Sequence, residues 1–305
     1  MTITSLLYFY ITHFIYSKCQ QLYLERIGEG SELEDPTIFP FFAQIELPVY
    51  GRPGKTSRCG GSLVHQQWIL TAAHCFPNSI EKINWILQQN KDMVFMGTVR
   101  VYSSIFAKKN SFIEIHQHPN YSRIRIKNKL TFIKNNIAVA KLKKPYKLTS
   151  TVGTIPLFSI FSECNLGTVI GVGTAFPDRD YEDGLESIKY SQLIITKTED
   201  FGPPLESMPN TTFYTLTKME KDQASSSYMF RGSAGEPFVC EINFVIGQIG
   251  VFSQEGPEES NEHVPHVEFL GENIKQALYE EDCATVLKCK RISYLIYVVL
   301  IYLLS

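Results

Sequence analysis

His74 and Cys75 are adjacent in this 305-residue sequence, and the histidine is the first side chain that could do acid–base chemistry. A neutral imidazole can take a proton from a nucleophile and later return it to a leaving group. A single histidine, however, is more often a packed and partly buried residue. Its interpretation depends on the surrounding string, in which Cys59 to Leu63 (CGGSL) is followed by Trp68 to Cys75 (WILTAAHC).

The other histidines and the cysteines do not predict a metal site. The seven cysteines contain no CxxC pair and no paired zinc-ligand spacing. His116 and His118 have the spacing of neighbours on one face of a strand, but no third ligand is in view. We therefore expect no metal and no cofactor, and we expect the cysteines to form structural disulfides.

The overall charge excludes one class of partner and leaves another open. With 29 basic and 31 acidic side chains the net charge is -2, so the protein as a whole carries no excess positive charge that would attract nucleic acid. The segment from Tyr121 to Ser150 nevertheless has nine basic residues and no acidic residue. One interpretation is a solvated surface, and the other is docking of an acidic or sulfated ligand. The basic residues are Arg123, Arg125, Lys127, Lys129, Lys134, Lys141, Lys143, Lys144 and Lys147.

The elements that must position these side chains are mostly strands. Runs rich in β-branched and aromatic residues alternate with Gly, Pro, Asn and Ser, which predicts an all-β class. The predicted strands are Phe41 to Leu47, Met93 to Tyr102, Thr168 to Val172, Ile188 to Ile195 and Phe244 to Phe252. Helix is predicted only in short pieces, at Ala72 to Phe76 and Gly271 to Tyr279.

Both ends of the chain have the pattern of targeting segments. Residues 1–17 are interpreted as a signal peptide, although no Lys or Arg precedes the apolar stretch. Predicted glycosylation sequons at Asn120 and Asn210 would be usable in a secreted protein. The tail, 282–305, ends in an uncharged run that is short for a membrane span. It is interpreted as a glycolipid-anchor signal, with a cleaved or buried tail as the alternative.

The string around His74 resembles, nearly residue for residue, the catalytic-histidine segment of trypsin-like serine proteases of the chymotrypsin family. Three further segments extend the resemblance from about Pro40 to Tyr279. His118 to Tyr121 resembles the family's His-Pro-x-Tyr loop. Asn136 to Leu142 resembles its Asp-Ile-Ala-Leu-Leu-Lys-Leu strand, and Gly232 to Cys240 resembles its Gly-Asp-Ser-Gly-Gly-Pro-Leu-Val-Cys loop.

The resemblance implies a fold and two disulfides. The fold is a pair of packed six-stranded antiparallel β-barrels with a C-terminal helix on the outside. The implied disulfides join Cys59 to Cys75 and Cys164 to Cys240. The implied division of the chain is a pre-barrel segment, two barrels and a helix, at 18–37, 38–150, 151–270 and 271–281.

Departures from the family pattern fall on the residues that the family uses for catalysis. His74 is retained, but Asn136 stands where the family has the aspartate that orients the histidine. Counting back from Pro237 places Ala234 at the nucleophile's position, with Gly232 in the oxyanion loop. Ser233 replaces the aspartate that pairs with the new N-terminus after zymogen cleavage. The resemblance therefore implies a triad without its nucleophile or its carboxylate.

The substrate cleft departs from the family as well. Tyr228 falls at the base of the primary specificity pocket, which a phenol ring would fill. Glu236 replaces a glycine and adds negative charge beside the oxyanion loop. The strand Ile249 to Ser253 lacks the family's Ser-Trp-Gly.

These departures predict a catalytically inactive, extracellular protease homologue that acts by binding a protein such as an active protease, an inhibitor or a receptor. One alternative is a weak hydrolase that uses Ser233 as nucleophile in a shifted register. Another is a surface-anchored adhesion module, for which the terminal tail is the sequence feature.

Overall fold

The computed structural model describes residues 31–89, 91–100, 105–126, 129–158, 164, 166–171, 187–196, 212–217, 234–254 and 266–269. A 3₁₀ turn spans Ala73–Cys75, and helix α1 spans Ile80–Gln88. Within these residues, no helix has the length and apolar character needed to cross a membrane. The strands, numbered along the chain, are β1 (Ser31–Glu32), β2 (Phe42–Pro48), β3 (Thr56–His65), β4 (Trp68–Thr71), β5 (Val94–Met96), β6 (Lys108–Asn110), β7 (Phe112–Gln117), β8 (Ser122–Ile126), β9 (Lys129–Lys134), β10 (Ala138–Leu142), β11 (Leu166–Gly171), β12 (Lys189–Thr196), β13 (Thr212–Thr217), β14 (Pro237–Ile242), β15 (Val245–Gln254) and β16 (His266–Phe269).

The first barrel is built from the strand order β6-β5-β2-β3-β4-β10-β7. All of its pairings are antiparallel. Only Ser111 separates β6 from β7, so these two pieces act as one bent strand. Because β6 pairs with β5 and β7 pairs with β10, the bent strand closes the sheet into a barrel of six strands. The hairpin β8–β9 stands apart from this sheet.

The second barrel has the order β12-β11-β14-β15-β16-β13, and an additional pairing of β12 with β13 closes it. A further strand, β1, pairs with β12 at Ser31↔Tyr190 and Glu32↔Lys189. Part of the predicted pre-barrel segment thus extends the second sheet. The predicted fold class, all-β with two six-stranded barrels of the chymotrypsin type, is confirmed.

Apolar side chains fill both barrels and the space between them. The larger buried cluster combines first-barrel residues such as Ile45 and Leu70 with Ile170, Val239 and Val251 of the second barrel. A smaller cluster around Phe238 fills the interior of the second barrel. Polar contacts join the barrels too, since the Ser62 hydroxyl donates to Gln248 Oε1 at 2.5 Å. This shared core holds the loops at the barrel junction in a fixed relation.

Two local predictions differ from the structure. Helix α1 was not predicted, although Ser79 precedes it and Ile83, Ile86 and Leu87 have helical spacing. The observed strand β5 is shorter than the predicted strand from Met93 to Tyr102, because it ends at Met96 and Gly97 follows with φ of 71°. The predicted C-terminal helix at 271–281 lies outside the described residues.

Candidate functional site

Antiparallel pairing of β4 with β10 brings His74 and Asn136 together. Ala138, the first residue of β10, lies opposite Thr71, the last residue of β4. His74 follows β4 in the 3₁₀ turn, and Asn136 precedes β10 by two residues. Both side chains therefore lie at the same end of this strand pair. Ser253, near the end of β15, approaches them from the second barrel.

Asn136 is completely buried and makes three short hydrogen bonds. Its Oδ1 accepts from the backbone N–H of His74 at 2.9 Å. Its Nδ2 lies 2.6 Å from Nδ1 of His74 and donates to the Ser253 hydroxyl at 2.7 Å. The three contacts use both ends of the amide, so the side chain is held in one orientation.

The orientation of the Asn136 amide decides which ring nitrogen of His74 carries a proton. A backbone N–H can only donate, so the amide oxygen must face it and Nδ2 must face the imidazole. Because Nδ2 is a donor, Nδ1 of His74 must accept. The proton of the neutral imidazole then sits on Nε2, the nitrogen that a general base would need free to accept.

His74 is neutral over the physiological pH range. Burial lowers the pKa of His74 to about 4, and the nearby positive charge of Arg123 acts in the same direction. Arg123 Nη2 also donates to the backbone carbonyl of His74 at 2.9 Å. A neutral ring with its proton on Nε2 donates through that nitrogen and does not accept.

Ala234 lies against the turn that carries His74. Its carbonyl oxygen accepts from the Gly60 N–H at 2.8 Å, which joins the loop before β14 to β3. The next residue, Gly235, has φ of 84°, and a Cβ there would lie 2.2 Å from Thr71 Oγ1. Only glycine fits that backbone and that space. The predicted nucleophile position therefore presents a methyl group beside the histidine turn.

Glu236 has a fully buried side chain, 0% exposed. It lies against two glycine backbones: a Cβ on Gly171 would lie 1.7 Å from Glu236 Oε1, and one on Gly60 would lie 2.6 Å from Glu236 Cγ. The Glu236 side chain thus occupies space that is open because residues 60 and 171 have no side chain. The Glu236 carboxyl group therefore lies against the backbone of Gly171, at the end of β11.

Both disulfides implied by the resemblance are present, and one of them holds the turn of His74. Cys59 is bonded to Cys75, with a Cα–Cα distance of 6.2 Å, and this ties β3 to the turn of His74. The bond closes a loop of 16 residues, worth about 3 kcal/mol on the chain-entropy model. Cys164 is bonded to Cys240 on β14, within the second barrel.

The remaining predicted site residues are distributed as follows. Tyr228, Gly232, Ser233 and the sequon at Asn210 lie outside the described residues. Asn120 is exposed. Among the described residues, no group of three or more His, Cys, Asp or Glu side chains could hold a metal ion.

Sequence reasoning missed two residues of the site. Ser253 was grouped with a strand that lacks the family's Ser-Trp-Gly, yet its hydroxyl contacts Asn136. Arg123 was counted only as part of the basic segment, yet it contacts the His74 backbone. The serine at the end of a predicted strand was the available signal for Ser253, whereas no sequence signal pointed to the Arg123 contact.

Comparison with known proteins agrees with this geometry. The chain is 27% identical over 225 residues to "Mast cell protease 2" of Meriones unguiculatus, covering 71% of this chain and 76% of that protein. It is 26% identical over 202 residues to "Trypsin-2" of Salmo salar, covering 64% and 77%. It is 27% identical over 222 residues to "Chymase" of Cavia porcellus, covering 71% and 76%. Residues 35–268, more than half of the chain, match the family described as Trypsin, and the chain belongs to that family.

Proposed function

We propose that this chain is a catalytically inactive member of the trypsin family that acts outside the cell by binding another protein. The observation that carries the proposal is the contact set of Asn136. The amide fixes a neutral His74 with its proton on Nε2, so the imidazole donates where a general base must accept. In a protease of this family, replacing the aspartate by asparagine lowers turnover about 10⁴-fold for this reason.

Ala234 supports the same proposal from the other side of the reaction. A methyl group has no oxygen with which to attack a carbonyl, and loss of the serine alone costs on the order of 10⁶ in turnover. The two losses affect one unit and do not simply add. Either loss alone would lower turnover by several orders of magnitude.

An extracellular location is consistent with the two disulfides. Such bonds form and persist in oxidising compartments and are rare in the cytosol. The two closed barrels share a core, and this scaffold supports surface loops for binding whether or not the chain is catalytic. The proposed roles are capture of a substrate without cleavage, support of an active protease, or recognition at a cell surface.

A fluorophosphonate probe tests the absence of a nucleophile, because it labels only an activated serine. We expect no labelling of the purified protein under conditions where trypsin is labelled fully. The Ser233→Ala variant is the matched control. Labelling of the wild type that disappears in Ser233→Ala would replace the proposal with a hydrolase that uses Ser233.

Affinity capture tests the binding role. The protein, immobilised through a tag, is exposed to extracellular fluid, and retained proteins are identified by mass spectrometry. We expect retention of an active protease, a protease inhibitor or a receptor ectodomain. The retained protein, once purified, should bind to the immobilised chain again. Absence of any saturable partner would contradict the binding role.

A further inference from the structure

Two segments that are distant in sequence meet on the first barrel and bring lysines together. The Lys143 N–H donates to the Ser111 carbonyl at 2.8 Å, and Asn110 Nδ2 donates to the Lys144 carbonyl at 2.7 Å. The Tyr146 hydroxyl donates to the Lys108 carbonyl at 3.0 Å. These bonds attach the segment after β10 to strand β6. The exposed lysines that result, named here the lysine cluster, are Lys108, Lys109, Lys143, Lys144 and Lys147.

The two side chains that join these segments, Asn110 and Tyr146, are largely buried. Asn110 is 8% exposed and Tyr146 is 7% exposed. Burial raises the pKa of Tyr146, and the carboxylate of Asp92 adds to the effect. Asp92 is therefore close by, and it offsets only part of the positive charge of the five lysines. The backbone segments that carry the five lysines are thus held to each other by hydrogen bonds from buried side chains.

A groove with both apolar and polar lining residues begins beside the lysine cluster. It lies between helix α1 and strand β7 and has a volume of about 260 Å³. Phe112 and Ile113 both line it, but Phe112 is only 2% exposed whereas Ile113 is 41% exposed, so Ile113 provides more of the accessible apolar surface. Lys143 lines the groove and belongs to the lysine cluster as well, so the two features are continuous. The lining residues are Asn84, Leu87, Gln88, Phe112, Ile113 and Lys143.

Large apolar side chains are exposed next to the same lysines. Ile105 is 83% exposed and Phe106 is 77% exposed, and they precede Lys108 by two or three residues. Apolar side chains grouped on a surface and bordered by charge are typical of protein–protein contact sites. The surface is therefore mixed, with apolar and cationic groups side by side.

We propose that the lysine cluster and the groove together bind an acidic segment of a partner protein that carries a bulky apolar side chain. The carboxylates would lie along the lysines, and the apolar side chain would enter the groove beside Ile113. A sulfated polysaccharide could match the charge, but it has no apolar group for the groove. The inference names the partner class for the proposed binding role, on which it rests.

A titration with synthetic peptides tests this site. The probe is a fluorescent, glutamate-rich peptide with one phenylalanine, and its partner probe has alanine in place of the phenylalanine. A heparin-type oligosaccharide is the third probe. We expect the phenylalanine peptide to bind most tightly to the wild-type protein and to weaken as salt is added.

The variants separate the two parts of the surface. The double change Lys108→Glu with Lys144→Glu should weaken binding about tenfold or more, since two attractions become repulsions. Ile113→Ser should weaken binding of the phenylalanine peptide about fivefold and leave the alanine peptide unchanged. Lys189→Glu, in the second barrel, is the matched charge reversal and should have no effect.

Three results would overturn the inference. They are no binding of the phenylalanine peptide to the wild type, equal binding by the Lys108→Glu and Lys144→Glu variant, and saturable binding of the oligosaccharide alone. The titration reports on the lysine cluster, whereas fluorophosphonate labelling reports on the triad positions. Failure of one proposal can therefore be distinguished from failure of the other.

Discussion

Asn136→Asp should raise the pKa of His74 well above its value in the wild type. A carboxylate at this position has one oxygen at the His74 N–H, and the other faces Nδ1 of His74 and the Ser253 hydroxyl. All three neighbours can donate to it. The wild-type arrangement, in which Nδ2 donates to the ring, is replaced by a ring that donates from Nδ1.

The size of the change follows from the short distance between the two side chains. In the wild type, burial lowers the pKa of His74 from 6.5 to about 4. The new charge would lie about 2.6 Å from Nδ1, and an opposite charge at close range shifts a pKa by about 1–3. We therefore expect a pKa between about 5 and 7 in Asn136→Asp, which corresponds to about 1.4–4 kcal/mol in favour of the imidazolium.

Proton and nitrogen NMR of the histidine side chains measures this effect directly. The His74 signals are assigned as those missing from His74→Gln. The wild type should show its neutral ring proton on Nε2, and Asn136→Asp should move that proton to Nδ1. Asn243→Asp makes the same chemical change in an exposed turn of the second barrel and should leave His74 unaltered.

Two outcomes would refute this reasoning. A wild-type proton on Nδ1 would mean that the amide faces the ring with its oxygen. An unchanged pKa of His74 in Asn136→Asp would mean that the carboxylate does not reach Nδ1. Either result would remove the main support for an inactive general base.

Three further predictions follow from the same geometry. Ala234→Ser combined with Asn136→Asp should hydrolyse activated esters weakly and leave peptide amides uncut; cleavage of a tripeptide amide would show an intact pocket and oxyanion loop. Gly235→Ala should lower the free energy of unfolding by about 3 kcal/mol in urea melts, against about 1 kcal/mol for Gly54→Ala, which has positive φ but open space. The pKa of His74 is about 4 in the folded state, against an ordinary value of 6.5, so the unfolded chain binds a proton first as the pH falls. The free energy of unfolding should therefore decrease by up to about 3 kcal/mol between about pH 6.5 and pH 4. His74→Gln should make this pH dependence weaker.

The fold was predictable because its main signals are local in sequence. The string around His74 places a histidine, two cysteines and two strands within a short stretch, and the structure pairs β3 with β4 there. Strand Ile188 to Ile195 was predicted within one residue of β12 from its composition alone. Alternation and β-branched content are properties of single segments, so no tertiary information was needed.

The parts that were missed depend on contacts between distant segments. Ser253 joins the site through a hydrogen bond to Asn136, which is 117 residues away in sequence, and its position at the end of a strand does not identify that partner. Helix α1 has only a short apolar face, with Ile86 buried, and a brief pattern of that kind competes poorly with a β-rich background. The lysine cluster likewise depends on the side-chain amide of Asn110, which donates to the Lys144 carbonyl and so joins the segment of Lys144 to strand β6.

The contact of Glu236 with two glycines constrains how the sequence of this protein can change over time. Any side chain at position 171 would overlap the Glu236 carboxyl, and any side chain at position 60 would overlap its Cγ. The effects of substitutions at 60, 171 and 236 should therefore not be additive, because each depends on the space that the other positions leave. Among close descendants of this chain, glutamate at 236 should therefore be inherited together with glycine at 60 and 171.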